Sequence, residues 1–523
     1  MKKQHLPFER GREPHAELLD SSRIAGLARR ICIIALACLI AGCSTASNFQ
    51  YPPVRWVRDT DRAPIKEPKV KEHKHEGGYD AYTQQAEEVL KFTQNMASMP
   101  REITFGGRTA LNTNNFDEVA DSTWFANRIG RYGTFVNEFT TPPDLKDKFE
   151  VLSTDNKDPP TEYVIKDSKG NDYLIKIDNS SDGLESSSEV LGTLFLHAVG
   201  YNVTENYIVR FNGKRALAIR MPKGKNLGHF LFNGKRKGDP NDRIPHEYRR
   251  ELRSLRLFAA FLNNKEFGVN NNLDIYDSYI THYLTNYSTP LANMRSEFTS
   301  GAPKREQATV DALFSFGMYN PYWTASDKPE EKKGGIISSK DFIPAKWQPR
   351  NNNTAFKFMT QTDAFWAAKL LAKFTDGDIA ALVAAAGYED KSMADTVAKE
   401  LIIRRDKIVS YYFDRLAPLD DFILQGEVGV LAFTDLASLA GTRYRYRIMT
   451  DKGTSYLLDW QETGDASIPI PSDIQAKMRI GRYHMIQLQM LRPNTQWWSA
   501  SVDIYIKKDP ELNLIGIKRR YSH

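Results

Sequence analysis

The sequence predicts an α+β protein in which a β-rich segment, a helical segment and a small all-β domain follow one another along the chain. Three observations carry this. Between Thr161 and Met221, apolar residues alternate at period two around Gly-containing turns, with one helical run between them. From Pro245 to Leu416 the long apolar runs recur at helical spacing. Beyond residue 424 the alternation returns. The chain has 523 residues, 41% hydrophobic and 26% charged, values of an ordinary globular protein. That length accommodates two to four domains of ~150 residues each.

The N-terminal end reads as a leader and a tether. The three cysteines are Cys32, Cys38 and Cys43, so no disulfide or Cys-based metal site is expected beyond Cys43. Arg29 and Arg30 precede the apolar run "ICIIALACLI", which is too short to span a bilayer and ends in "AGCS". The ending Ile40-Ala41-Gly42-Cys43 resembles the lipobox of bacterial lipoproteins. The resemblance implies a signal peptide over 1–42, cleavage before Cys43, and acylation of the Cys43 thiol. Ser44 resembles the outer-membrane sorting pattern, placing the chain in the bacterial envelope with the membrane as its lipid-mediated partner. An uncleaved signal anchor is the alternative. Residues 43–79 are rich in proline and charge and are expected to form an extended, flexible tether. The His-x-His of "HKHEGG" there is read as solvated rather than as a metal site.

Charge excludes one class of partner. Removing residues 1–42, with 7 basic and 4 acidic residues, leaves 64 basic against 61 acidic, a net +3. Nothing in that balance favours nucleic acid.

The elements follow in order. Residues 80–100 have Ala81, Ala86, Val89, Leu90 and Phe92 near one helical face. "FDEVADSTWFANRIG" (116–130) mixes acids and aromatics as a packed loop or short helix. "TEYVIKDSKGNDYLIKID" (161–178) is a hairpin about Asp167–Gly170. After the loop "DNSSDGLESS", Val190, Leu191, Leu194, Phe195, Ala198 and Val199 mark a helix stopped by Gly200. Two strands flank Asn212-Gly213. "PHEYRRELRSLRLFAAFLNN" is a helix with Leu252, Leu255, Leu257, Phe258 and Phe261 inward and an arginine-rich outer face. "YITHYLTNYS" (279–288) is strand-like. Three helices follow, in "DAFWAAKLLAKF", "DGDIAALVAAAGY" and "MADTVAKELIIRRDKIVSYYFDRL", the second headed by acids that favour the helix dipole. Residues 424–523 form the β-domain, where Tyr444, Tyr446, Trp497 and Trp498 are candidate contacts for a glycan or peptide, or else cross-strand pairs.

The ordered set "YLIKID", "SSEVLG…LHAVGYNV", "IPHEYRRELRSLRLFAAFLNN", "DAFWAAK" and "RRDKI" resembles the protein-kinase-like fold, and more closely its atypical branches, such as the HipA-like and phosphatidylinositol-type kinases. The resemblance implies a two-lobed body over 80–423, with a β-rich lobe to about 225 and a helical lobe from about 226. It implies that Lys176 on a strand would grip nucleotide phosphates, with Glu189 orienting it. Glu266 would stand as the loop base, Asn271 as a metal ligand, and Asn286 at the place of the main Mg²⁺ carboxylate, with Asp274 a further acid. Each residue also has a plainer reading. Lys176 suits a solvated strand face, Glu189 a first-turn acid, and Asn270–Asn272 turn positions.

Three departures point away from catalysis. Glu266 is a methylene longer than the aspartate such loops carry, and an ångström of displacement costs on the order of a hundredfold. Asn286 is neutral where Mg²⁺ prefers a carboxylate. The expected phosphate-covering turn, "STDNKDPPTEY", carries Asp155 and Asp158, which repel phosphates, and Pro159 and Pro160, which lack amide donors. The expectation is therefore a degenerate kinase-like binding or scaffolding module, without a cofactor, with its β-domain as a second contact surface for a protein or envelope partner. The alternative is a divergent phosphotransferase or nucleotidyl transferase using ATP and Mg²⁺ through Lys176, Glu189, Glu266 and Asn271. No G-x-S-x-G or His-Glu-x-x-His pattern supports a hydrolase.

Overall fold

A computed structural model describes residues 61–68, 109–129, 142–143, 145, 149–180, 183–265, 267–268, 271–285, 339–349, 353–450, 455–493 and 495–521. Cys43, the expected helix at 80–100, Glu266 and Asn286 lie outside the described residues.

The first sheet has five antiparallel strands: β1 (Glu150–Thr154), β2 (Glu162–Lys166), β3 (Asp172–Ile177), β4 (Glu205–Phe211) and β5 (Lys214–Arg220), in the order β1-β2-β3-β5-β4. The expected β2–β3 hairpin is present. Asp167 Oδ1 accepts the amides of Lys169 at 2.9 Å and Asn171 at 2.8 Å, and Gly170 supplies the positive φ of +79° that closes the turn. Period-two alternation sorts the two faces. Tyr173, Ile175 and Ile177 pack with Ile165, Phe211, Ala216 and Ala218 on one side. Leu174, Leu217 and Ile219 face the other side and join the main core.

Helix α1 (Leu184–Val199) crosses that second face between β3 and β4. It is buried almost all round, Ser186, Ser187, Ser188, Glu189 and Thr193 included, because helices cover its far side. It stops at Gly200 as expected. At φ +138°, a Cβ there would stand 2.4 Å from the Ala126 carbonyl oxygen, so only glycine fits.

The helical segment comprises α2 (Arg250–Leu262), α3 (Thr354–Lys357), α4 (Gln361–Ala372), α5 (Asp376–Ala385) and α6 (Lys391–Phe413). Capping boxes start α4, by Thr360 and Asp363, and α5, by Thr375 and Asp378. Strands β6 (Lys225–Asn226), β7 (Asn272–Asp277) and β8 (Tyr279–Leu284) form a small antiparallel sheet beside them.

Two expectations are corrected here. The arginines at the head of α2 do not form an outer face: Arg249, Arg250 and Arg253 are all at most 1% exposed. Acids distant in sequence make this tolerable. Asp363 accepts from Arg250 Nε at 3.1 Å and Arg253 Nη1 at 3.2 Å, and Asp117 pairs with Arg250 at 2.7 Å. Helical periodicity sees only the ladder of charge, not the partners waiting for it. The second correction concerns residues 61–68, which lie within the expected tether but are docked. Asp61 Oδ2 accepts the amide and hydroxyl of Thr123, each at 2.7 Å, and Ile65 bonds through its backbone to Ser278.

The C-terminal domain has two sheets around one core. β9 (Leu419–Gln425), β10 (Val430–Asp435) and β13 (Ser467–Pro469) form one, in the order β13-β10-β9. β11 (Arg443–Met449), β12 (Tyr456–Thr463), β14 (Tyr483–Leu491), β15 (Val502–Asp509) and β16 (Glu511–Arg519) form the other, in the order β12-β11-β14-β15-β16, and α7 (Ser472–Lys477) lies alongside. β9 begins before residue 424, because Leu419 and Asp420 already pair with β10. Tyr444 and Tyr446 turn inward and are core residues rather than contacts. Trp497 is 73% exposed.

Ion pairs stitch this domain to the helical segment. Arg519, fixed within the domain by Asp420 at 2.7 Å and the Leu419 carbonyl at 2.6 Å, lays its guanidinium 4.5 Å above the Phe365 ring of α4. Lys369 bonds Asp420 at 2.7 Å and also Glu118, which takes the Trp366 indole N–H at 3.1 Å. The segment 116–130, opaque in sequence, supplies the acids of this seam.

Candidate functional site

The sequence-predicted residues fall around the first sheet, α1 and the β7–β8 hairpin. Lys176 is the next-to-last residue of β3, on the α1 side. Its charge acts on Glu185 in the first turn of α1. Burial and the nearby Asp178 nonetheless raise the Glu185 carboxyl, against the Lys176 charge. Asp178 itself anchors the loop into α1. It accepts the Ser180 amide at 2.9 Å and the Ser186 amide at 3.0 Å, with Arg215 3.8 Å away. Burial opposes its ionisation, but these hydrogen bonds from Ser180 and Ser186 hold its carboxyl below the usual range.

Glu189, one turn further along α1, is 1% exposed and linked to the Asn271 turn by a polar relay. Asn206 Nδ2 donates to Glu189 Oε1 at 3.4 Å, and the Thr204 hydroxyl donates to Asn206 Oδ1 at 3.0 Å. Thr204 lies 3.3 Å from the Thr285 hydroxyl, and the Thr285 amide donates to the Asn271 carbonyl at 3.0 Å. The Asn271 side chain faces back into its own turn, where Oδ1 accepts the Gly268 amide at 2.8 Å. The fold thus brings Glu189 and Asn271 into one network although 82 positions separate them.

Asp274 is fully buried on β7 and belongs to a second cluster. Its Oδ1 pairs with His282 Nδ1 at 2.6 Å, and its Oδ2 takes Arg236. The His282 ring stacks on Trp124 at 3.5 Å, with the His246 ring edge-on at 4.7 Å and the Arg249 guanidinium 4.8 Å from the same indole. His246 Nε2 lies 2.8 Å from Asp242 Oδ2. Burial disfavours both charges, yet each stabilises the other. The His246 pKa is raised, chiefly by the Asp242 carboxylate, and the Asp242 carboxyl is held at about 2 by His246 and Arg249. Asp239 goes the other way: burial raises its carboxyl more than its bond from Asn241 and the His282 charge lower it.

Sequence reasoning missed this cluster. The available signal was the density of opposite charges in "GDPNDRIPHEYRRELR", too many for a solvated helix start. Among the described residues, no group of three or more His, Cys, Asp or Glu side chains is placed to hold a metal ion. Two cavities lie at the seam with the C-terminal domain. One of about 320 Å³ is lined by Glu118, Lys369, Asp420 and Ile517, and one of about 570 Å³ by Phe374, Arg405, Phe413 and Arg492. Neither is lined by Lys176, Glu189, Asn271 or Asp274.

No protein-family model and no curated protein matches the chain. Among solved structures it is similar to the crystal structure of a Helicobacter pylori proinflammatory kinase, CtkA, with a TM-score of 0.30 and 11% identity, over 52% of this chain and 96% of that chain. At that score the likeness fixes neither fold nor function. The chain is an α+β protein of antiparallel sheets and helices.

Proposed function

We propose that the chain is a lipoprotein anchored to the outer membrane through Cys43, whose two-lobed kinase-like body binds or scaffolds a partner and no longer transfers phosphoryl groups. The element order supports the kinase-like reading. Three strands, a buried helix and two further strands of the same sheet precede a helical segment. The observation that carries the non-catalytic reading is Asp274, a carboxylate that would serve a metal. One of its oxygens is held by the partly exposed Arg236 and the other by the buried His282. Recruiting it to Mg²⁺ requires breaking a buried ion pair, at ~3–5 kcal/mol. The Asn271 side-chain oxygen is likewise engaged by the Gly268 amide.

The relay from Glu189 to Asn271 favours a second reading, a divergent phosphotransferase or nucleotidyl transferase using Lys176, Glu189, Glu266 and Asn271, because it joins two residues such chemistry needs. Thermal denaturation of the full mature chain with millimolar ATP and Mg²⁺ decides between them. The non-catalytic reading expects no shift. A ligand at 100 times its dissociation constant stabilises by ~2.7 kcal/mol, a rise of several degrees. Such a rise, abolished by Lys176→Ala, would establish the second reading instead. For the anchor, Cys43→Ser is expected to leave an unprocessed precursor that fails to reach the outer membrane, and normal maturation of that variant rejects the lipid assignment.

A further inference from the structure

We infer that the outer face of β12-β11-β14 in the C-terminal domain is a binding surface for an acidic polysaccharide bearing carboxylates. This goes beyond the reading of the kinase-like body and stands whether or not that body binds nucleotide. β11 turns Tyr444, Tyr446 and Ile448 into the core and leaves Arg443, Arg445 and Arg447 on the opposite face. Residues two apart on a strand are about 6.8 Å apart, so the three arginines form a regular row.

The row is built rather than incidental. Arg445 lies 4.5 Å from the ring centres of both Trp460 and Trp498, and Arg447 lies 4.5 Å from Tyr456 and 4.6 Å from Trp460. Each Nε is fixed by a glutamine of β14: Arg445 donates to Gln489 at 2.8 Å and Arg447 to Gln487 at 2.7 Å. The glutamines are fixed in turn, Gln489 by the Ser499 carbonyl at 2.7 Å and Gln487 by Asp503 at 3.2 Å. Two guanidinium planes are therefore oriented before any ligand arrives. A planar fork held this way recognises a carboxylate with little further loss of freedom.

Charge selects the occupant's sign. Arg443 has Glu462 at 3.3 Å, but among the described residues no ion pair is made by Arg445 or Arg447. Partial burial lowers the Arg445 pKa; the Glu462 charge opposes this and the neighbouring Arg447 adds to it. Geometry selects the class. Trp460 already carries two guanidiniums, which disfavours base stacking by a single-stranded nucleic acid. An extended peptide recognised by strand addition would pair with backbone groups along the β12 edge, whereas the arginine row lies on β11, an interior strand offering only side chains. A sugar chain needs flat apolar rims beside its charged groups. The 49% exposed ring of Tyr456, against which Arg447 rests at 4.5 Å, supplies one.

The test is affinity electrophoresis of the full chain through gels containing polygalacturonate, with dextran, oligoglutamate, oligo-dT and phosphatidylglycerol vesicles as comparison probes. Retardation by polygalacturonate and not by dextran is expected. Arg445→Gln/Arg447→Gln should weaken it at least tenfold while the chain still melts as a folded protein, since both side chains lie on the outer face of the sheet. Arg445→Lys/Arg447→Lys keeps the charge and loses the fork, and should recover less than half of the lost retardation. Three results overturn the proposal: no retardation by polygalacturonate, tighter binding of any comparison probe, or a lysine variant that binds like the unmodified chain.

Discussion

Asp363→Ala tests the buried arginine cluster at the head of α2. The carboxylate is fully buried and accepts from Arg250 at 3.1 Å, Arg253 at 3.2 Å, and the Thr360 amide at 2.9 Å. Removing it leaves Arg250 its pair with Asp117 at 2.7 Å, so most of the damage falls on Arg253. Burial already lowers the Arg253 pKa, and Asp363 is the charge that opposes this. Stripping one partner from a buried pair costs ~3–5 kcal/mol. Loss of the reciprocal capping bond at α4 adds ~0.5–1 kcal/mol. The sum is about 4–6 kcal/mol, comparable to the whole stability of a small domain. Urea denaturation at neutral pH followed by tryptophan fluorescence reads it, because Trp366 sits one turn along the same helix. Asp363→Asn, which keeps some hydrogen bonding, should fall between. The double variant Arg253→Leu/Asp363→Leu should recover much of the loss, since Arg250 keeps Asp117 and the apolar replacement leaves no charge unpaired. A loss under ~1 kcal/mol for Asp363→Ala refutes the reasoning, as it would mean that water reaches these guanidiniums.

The His246–Asp242 pair predicts a pH dependence whose sign follows from the two shifts. His246 is raised, so its contribution is complete below the ordinary value of ~6.5 and fades as pH rises through the higher folded value. Asp242, held at about 2, contributes above its ordinary range and fades only as pH falls toward 2. Melting temperatures from pH 5 to 9 should fall across the upper part of that window, and Asp242→Asn should flatten the fall; a parallel slope in the variant would assign it elsewhere. Arg519→Ala removes the guanidinium from the Phe365 ring of α4 and from Asp117, 3.8 Å away, and calorimetry should then show the C-terminal domain melting apart from the rest. Gly200→Ala places a methyl against the Ala126 carbonyl at a positive φ and should cost more than ~1 kcal/mol by denaturant midpoint. A midpoint within error of the unmodified chain would show that the α1 stop has room to move.

The local elements are written in the sequence. The hairpin at Asp167–Gly170, the helix ending at Gly200, the acid-headed α5 and the β-strands of the last hundred residues were legible because each rests on contacts within a few residues: an Asx turn, a positive φ, a capping box, a period of two. Which charged residues lie inside follows from long-range packing. Arg249, Arg250 and Arg253 have the spacing of a solvated helix face, and nothing near them in sequence reveals Asp363 or Asp117 as partners. Residues 61–68 have the composition of a tether and are docked because Thr123 and Ser278, far along the chain, receive them. Asp274 reads from sequence only as a further acid beside Asn271, and its pairing with His282 and Arg236 appears once the segments face each other. The physical reason is common to all three. Apolar burial is periodic and non-directional, so it leaves a trace in the local pattern. A buried charge is stable only beside its counter-charge, and which residue provides that is settled by how the chain folds back on itself.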